Sequence, residues 1–260
     1  MKEQTKPMLS IGMIVKNEQD KLEKCLKALQ PLREAVSCEL VIADTGSTDN
    51  TRTIAEKYAD LVFDFPWIND FSAARNAVMD RCNGIWYLTV DADEYLAPDV
   101  SELAEFLNGE NAEKADVGYV IQRNYNTTQM LPGDCNDFFA CRMVRMQSGI
   151  RYMGTIHESL QVPSGKVARF FSKTILHHDG YAWKTEADAQ AKMQRNLELL
   201  EKALEQHPNN ARLLTQCIES SNFQTDKRNF YAHRAMDVLT NGKIEDPSFA
   251  APLVLSLLNL

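Results

Sequence analysis

No Gly-x-Gly-x-x-Gly follows any apolar run of this 260-residue chain, and no Gly-Lys-Ser/Thr occurs anywhere. The two common phosphate cradles, of dinucleotide enzymes and of P-loop enzymes, are therefore missing. The six cysteines (Cys25, Cys38, Cys82, Cys135, Cys141, Cys217) contain no Cys-x-x-Cys, which speaks against a thiolate zinc site. Several lie in apolar surroundings, where a free thiol behaves as a small hydrophobe. Gln161 stands where a zinc-protease helix beginning at His157-Glu158 would need its second histidine. Long apolar runs are absent too: Phe249 to Leu260 is broken by Pro252, Ser256 and Asn259 and falls short of the roughly 20 residues that span a bilayer. Residues 8–15 run into Lys16, Asn17 and Glu18 without a small-residue cleavage site, so no signal peptide is expected and a cytoplasmic enzyme fits. With no Gly/Ser, Pro or Gln tract, the chain is expected to fold throughout.

Acidic residues outnumber basic ones, 36 to 28. A net charge of -8 argues against nucleic acid as a partner, because such binding needs a broad basic surface. One segment runs the other way: from Arg142 to Lys173 six basic residues face a single acid, Glu158, a net +5. That is either a solvated face or a place for an anionic ligand.

What the first hundred residues do contain is alternation. Strands are expected over Leu9–Val15, Glu39–Ala43, Leu61–Phe65 and Ile85–Val90. Helices are expected from Leu22, Cys25, Leu26 and Leu29, through Thr51–Tyr58, and over Phe71–Cys82. Strands alternating with single helices imply right-handed crossovers and a mostly parallel sheet flanked by helices, an α/β fold of Rossmann-like character. In such sheets ligands bind beyond the carboxyl ends of the strands. The polar clusters fall there: Asn17 and Glu18 after the first strand, Asp44–Asp49 after the second, Asp91–Glu94 after the fourth.

Beyond Pro98 a helix (Val100–Leu107) precedes three runs that read as antiparallel strands, 118–123, 138–145 and 151–156. From about Ala187 the pattern is helical, with His207-Pro208-Asn209-Asn210 as a break and a further helix around Tyr231–Leu239. The expected domains are 1–186, the α/β part, and 187–260, stacked helical hairpins of the tetratricopeptide kind. Such hairpins need neighbours, so the apolar end implies either a truncated chain or a homodimer that covers it through the helical tail.

The stretch WYLTVDADEYL, residues 86–96, ends an apolar run in three acids. Asp91 and Asp93, two apart, project the same way if strand geometry lasts that far, and two crowded carboxylates call for a positive partner. One reading is helix or turn capping by Asp93 and Glu94. The other is a divalent metal site: oxygen ligands suit Mg²⁺ or Mn²⁺, and few protein ligands leave positions open for phosphate oxygens. Asp44, before the Thr45-Gly46-Ser47-Thr48-Asp49 turn, is placed to bond a base or a ribose, while capping accounts for one of its neighbours. Arg75 lies early in a helix, where a cation does not help the macrodipole; it is either functional or part of a surface ion pair.

LSIGMIVKNE, ELVIADTGSTDNT, FSAARNAV and WYLTVDADE, in that order, resemble the nucleotide-diphospho-sugar domain of family 2 glycosyltransferases with the A-type fold. RMVR, GTIHE and HDGY, then a helical tail, are similar to the subset with bacterial peptide S-glycosyltransferases and lipopolysaccharide core glucosyltransferases. The resemblance covers roughly residues 9–210. It implies a nucleotide held by Val15, Asn17, Glu18, Asp44, Arg75 and Asp91, and a metal at Asp91, Asp93 and His178. It also implies Glu158 as the catalytic base toward the acceptor; an ion pair with the surrounding arginines is the other reading of that residue. The expected activity is metal-dependent, inverting transfer of a sugar, UDP-linked in the first instance, to a peptide, protein or glycan. A phosphotransferase built on Asp-x-Asp would show its pair after the first strand, and an inactive peptide-binding protein would not keep these acids.

Overall fold

The computed structural model describes residues 6–125, 130–131, 133–161, 167–180 and 186–258. The chain divides into two compact units at residues 182 and 183.

In the first unit β1 (Leu9–Val15), β2 (Cys38–Asp44), β3 (Leu61–Asp64) and β4 (Trp86–Thr89) lie parallel in the order β3-β2-β1-β4. Between them run α1 (Leu22–Ala28), α2 (Gln30–Ala35), α3 (Thr51–Tyr58) and α4 (Phe71–Met79). The helix expected from Leu22 restarts as α2, with Pro31 in its first turn, where a missing N–H does no harm. Asp70 caps α4, accepting from Ala73 N at 2.9 Å. That helix stops at Met79 rather than at Cys82, because Arg81 N and Cys82 N bond three residues back and tighten the last turn.

α5 (Ser101–Asn108) follows β5 (Glu94–Leu96), and the sheet then grows from the other side of β4. β7 (Cys135–Arg145) is antiparallel to β4 and to β6 (Val117–Tyr125), β10 (Arg169–His178) is parallel to β6, and β5 is antiparallel to β10 at the far edge. The full order is β3-β2-β1-β4-β7-β6-β10-β5. Four strand spacings in a flat sheet come to about 19 Å, whereas the five residues from Thr89 to Glu94 reach only about 17 Å fully extended. The sheet therefore curls, and residues 90–93 cross its carboxyl end. A separate hairpin pairs β8 (Arg151–Met153) with β9 (Ser159–Gln161), so the strand expected to reach Ile156 ends at Met153.

Side chains of β1 alternate as a two-faced strand must. Leu9, Ile11, Met13 and Val15 pack with Leu22, Leu26, Leu29, Leu40, Ile42, Trp86 and Leu88. On the opposite face Val41, Ala43 and Tyr87 meet Val78 and Met79 of α4 and continue to Val117, Val144 and Tyr152. Gly12 lies beneath the Tyr87 ring, where a Cβ would come within 2.3 Å of it.

The second unit is helical: α6 (Glu186–Gln206), α7 (Ala211–Ser220), α8 (Thr225–Thr240) and α9 (Ala250–Leu258). α7 packs against the other three, burying Leu214, Cys217 and Ile218. Asn210, from the Pro-Asn break, caps α7 by accepting from Leu213 N at 3.0 Å. Val254, Leu255 and Leu258 of α9 remain exposed. Among the described residues no helix is long and apolar enough to cross a membrane.

Candidate active site

At the carboxyl ends of β1 and β2 two loops are knitted together. The Val15 carbonyl accepts from both Thr45 N (2.9 Å) and Thr45 Oγ1 (3.1 Å). Asn17, at φ 54°, accepts from Thr48 N through Oδ1 (2.8 Å) and donates its own N–H to Ser47 Oγ (3.0 Å). Glu18 N donates to Thr51 Oγ1 at 2.7 Å. Asp44, buried at the end of β2, accepts from Gly46 N (3.0 Å) and Ser47 N (2.8 Å), both through Oδ1. Gly46 takes φ 104° there, a conformation that suits glycine. The four residues thus share one corner of the molecule, and Asp44 caps its own turn.

Strand geometry ends at Thr89, so the expectation that Asp91 and Asp93 project together does not hold; a turn sends them to different partners. Asp91 goes to Arg75. The guanidinium donates from Nη2 to Asp91 Oδ1 (2.8 Å) and Oδ2 (3.2 Å), from Nη1 to Thr89 Oγ1 (2.7 Å), and from Nε to Glu158 Oε1. Arg75 is buried, and its side chain is only 8% exposed. Burial opposes its charge, but Asp91 and Glu158 outweigh that and hold it firmly protonated. Asn76, the next residue, clamps the backbone of Tyr152 with both ends of its amide, at 2.9 and 3.1 Å. Thus the consecutive pair Arg75-Asn76 anchors both the carboxylates and the hairpin that leads to Glu158. That loop is further pinned by Phe71 N donating to Thr155 O at 2.9 Å, and it takes left-handed backbone at Gly154 and at His157 (φ 49°).

Arg142 supplies a second cation. It donates to Glu94 Oε1 and to Gln122 Oε1 (2.8 Å) and approaches Asp91 Oδ2 at 3.7 Å. Burial would raise the pKa of Asp91, yet Arg75 and Arg142 together pull it down to about 2. Glu94 is fully buried, accepts from Asp91 N at 2.9 Å, and is pushed up to about 7, its burial outweighing Arg142. Of the three acids, Glu94 is the one that serves the turn.

Asp93 goes to His178, with Oδ2 3.6 Å from Nε2. Gly180 lies against both: a Cβ there would fall 2.2 Å from Asp93 Oδ2 and 2.4 Å from His178 Nε2. The segment is held by Lys21 Nζ to Asp179 Oδ1 (2.7 Å), Tyr95 OH to Asp179 Oδ2 (3.0 Å) and Asp179 N to Asp93 O (3.2 Å). An oxygen and an imidazole nitrogen beside a cradle that a single methyl would fill suit a divalent cation. No group of three or more metal-ligating side chains converges among the described residues. Asp91 is paired to Arg75, and His178 lies near enough to add to the lowering of its pKa.

An open cavity of about 960 Å³ adjoins the Arg75 cluster. Glu158, Arg75, Thr89 and Arg142 line one part; Tyr119, Phe139, Tyr152, Leu160 and Arg169 line the rest. Among the described residues, Arg142 Nε is buried and finds no hydrogen-bond partner. Glu158 is thus paired with an arginine, but one from α4 rather than from its own basic segment.

Sequence reasoning named Asp91, Asp93, Glu94 and Glu158 but missed Gln122, Asn124, Asp179 and Gly180, and placed Arg142 only within a basic segment. The HDGY piece held the signal for Asp179 and Gly180; its Tyr181, like residues 127–129 and 132, lies outside the described residues.

A TPR repeat-containing protein of Synechococcus elongatus is 28% identical over 214 residues, 79% of this chain and 50% of its own. Glycosyltransferase SunS of Bacillus subtilis is 25% identical over 218 residues, 80% and 48% respectively. The lipopolysaccharide core biosynthesis glycosyltransferase LpsC of Rhizobium meliloti is 29% identical over 181 residues, 65% and 62%. The chain thus spans about half the length of the first two relatives. In fold it is similar to S. aureus TarS (TM-score 0.52, 14% identity, 89% of this chain and 48% of that one). It is also similar to the TarS 1–349 fragment in complex with UDP (TM-score 0.50, 14% identity, 88% of each). The Glycosyl transferase family 2 pattern matches residues 10–171, more than half of the chain, and the protein belongs to that family.

Proposed function

We propose that the protein transfers a sugar with inversion from a UDP-linked donor to a peptide side chain or a glycan, assisted by Mg²⁺ or Mn²⁺ at Asp93 and His178. The observation that carries this reading is the bridge Asp91–Arg75–Glu158: one guanidinium ties a carboxylate at the end of β4 to a carboxylate on the wall of an open cavity. UDP comes to this chain by likeness of fold to the TarS fragment, and Val15, Asn17, Glu18 and Asp44 form the corner that would receive the nucleotide. The acceptor, in the cavity, passes its O–H or S–H proton to Glu158 while its heteroatom bonds the anomeric carbon. The bond from that carbon to the diphosphate breaks, its electron pair leaving on the phosphate oxygen. A divalent cation held by Asp93 and His178 would supply positive charge for the departing diphosphate.

A glycan acceptor accords with the similarity to LpsC, a lipopolysaccharide core biosynthesis glycosyltransferase, and a peptide acceptor with the resemblance drawn from the sequence pieces. Thermal shift and donor hydrolysis across a panel of UDP-sugars, with Mn²⁺ and with EDTA, test the reading, since a ligand that binds the native state raises its stability. The expected result is Mn²⁺-dependent stabilisation by at least one donor, lost in Asp93→Ala. Hydrolysis indifferent to both EDTA and Asp93→Ala would overturn it.

A further inference from the structure

A histidine ligates a cation only through a ring nitrogen that carries no proton, so the tautomer of His178 decides whether Nε2, beside Asp93, can serve. That tautomer is determined by a chain of hydrogen bonds that begins at Arg142. A guanidinium has donors only, so the Gln122 atom 2.8 Å from Arg142 Nη2 is Oε1. Gln122 then presents Nε2 to Asn124 at 2.9 Å, and the atom that accepts is Oδ1. Turned over, Asn124 would set its NH₂ against that of Gln122. Asn124 Oδ1 also lies 2.7 Å from His178 Nδ1, a distance that between two acceptors would be repulsive, so Nδ1 carries the proton. Gln122 Nε2 and His178 Nδ1, 3.5 Å apart, are two donors converging on one oxygen.

The sheet register makes this possible. β6 and β10 run parallel with Leu176 opposite Gln122 and His178 opposite Asn124, and residues two apart on a strand share a face. Gln122 and His178 are both buried, which shields the chain of bonds from water. Its far end is anchored by Arg142 to Glu94.

We propose that Gln122 and Asn124 are positioning residues for a cation at Asp93 and His178: they keep the proton on Nδ1 and leave the Nε2 lone pair as the ligating atom. This rests on the cation reading given above, but its first test does not. Long-range ¹H–¹⁵N spectra of the metal-free full chain, with His178 assigned by His178→Gln and recorded where the ring is neutral, should show the Nδ1–H tautomer. Asn124→Leu should lose that tautomer. It should also weaken Mn²⁺ binding in the presence of UDP, read by electron paramagnetic resonance, by about 10–100-fold, whereas Asn124→Asp, which keeps an acceptor oxygen, should stay within about threefold. A neutral Nε2–H ring in the wild type overturns the inference and leaves the cation reading standing. So does a folded Asn124→Leu chain with tautomer and Mn²⁺ affinity unchanged. If Asn124→Leu does not fold, the wild-type spectrum and Gln122→Met decide in the same way. A wild-type chain that binds no Mn²⁺ with UDP overturns the cation reading, and the ligating role of Nε2 with it.

Discussion

His178 Nε2 and Asp93 Oδ2 face each other at 3.6 Å with Gly180 packed against both. The space beside them exists because residue 180 has no side chain. Gly180→Ala places a methyl 2.2 Å from the oxygen and 2.4 Å from the nitrogen, so the two must part or turn. Mn²⁺ binding in the presence of UDP is expected to weaken by about tenfold or more, while the overpacking itself costs about 1–3 kcal/mol of stability. Titration of the variant with Mn²⁺ checks this; undiminished affinity would show that the cation lies elsewhere.

Glu158 is expected to matter for transfer and not for donor binding, since it lies on the cavity wall and not in the corner of Asn17 and Asp44. Glu158→Gln keeps an oxygen for Arg75 but no longer takes a proton. Transfer should slow by roughly 10²–10⁴-fold, with calorimetric affinity for the donor unchanged. An equal loss in both would make Glu158 a donor ligand.

Arg75 joins Asp91 and Glu158, and its removal strands Glu158 and leaves Asp91 with Arg142 at 3.7 Å. Arg75→Met is expected to destabilise the chain by about 3 kcal/mol, at the low end for a broken buried pair because the Asp91 side chain is 32% exposed. The double variant with Glu158→Gln should lose less than the sum of the single variants, because one stranded carboxylate is gone. Additive urea-unfolding energies would mean that the pair is not coupled.

In the helical unit Glu201 ties α6 to α8, accepting from Lys227 Nζ and Tyr231 OH, each at 2.7 Å. Burial raises its pKa, but the two hydrogen bonds prevail and lower it below the usual 4.5. A lowered folded-state pKa stabilises above the unfolded value, and that stability is lost as pH falls through the folded one. Amide protection factors in α6 and α8, which correct for the intrinsic pH dependence of exchange, should therefore fall below about pH 4.5 in the wild type. In Glu201→Gln the pH dependence flattens, at a neutral-pH cost of about 1 kcal/mol. Parallel pH profiles for the two chains would refute the assignment.

The elements legible in the sequence were those whose apolar spacing is plain. β1 and α3 have the bounds expected of them, and β2, β3 and β4 differ by a residue or two. β10 was missed, since several of its inward positions are Ser172, Thr174 and His178, polar residues that erase the two-residue alternation. β5 was missed as well: Glu94 reads as a surface acid, and only Arg142, reaching it from β7, lets it be buried. The ordered acids marked the site, but the sequence pieces say nothing of which acid meets which base.

By itself, then, the amino-acid sequence determined a mostly parallel sheet with its polar residues gathered at one end, because periodicity and turn chemistry act between near neighbours along the chain. Only the tertiary structure decided that Asp91 belongs to Arg75, that Asp93 belongs to His178, and that Gln122 and Asn124 govern the imidazole. Those contacts join residues 16 to 85 positions apart. They arise where the sheet curls and brings β4, β6, β7 and β10 around one crossing segment, and hydrogen bonds between such distant groups leave no local trace in composition or spacing.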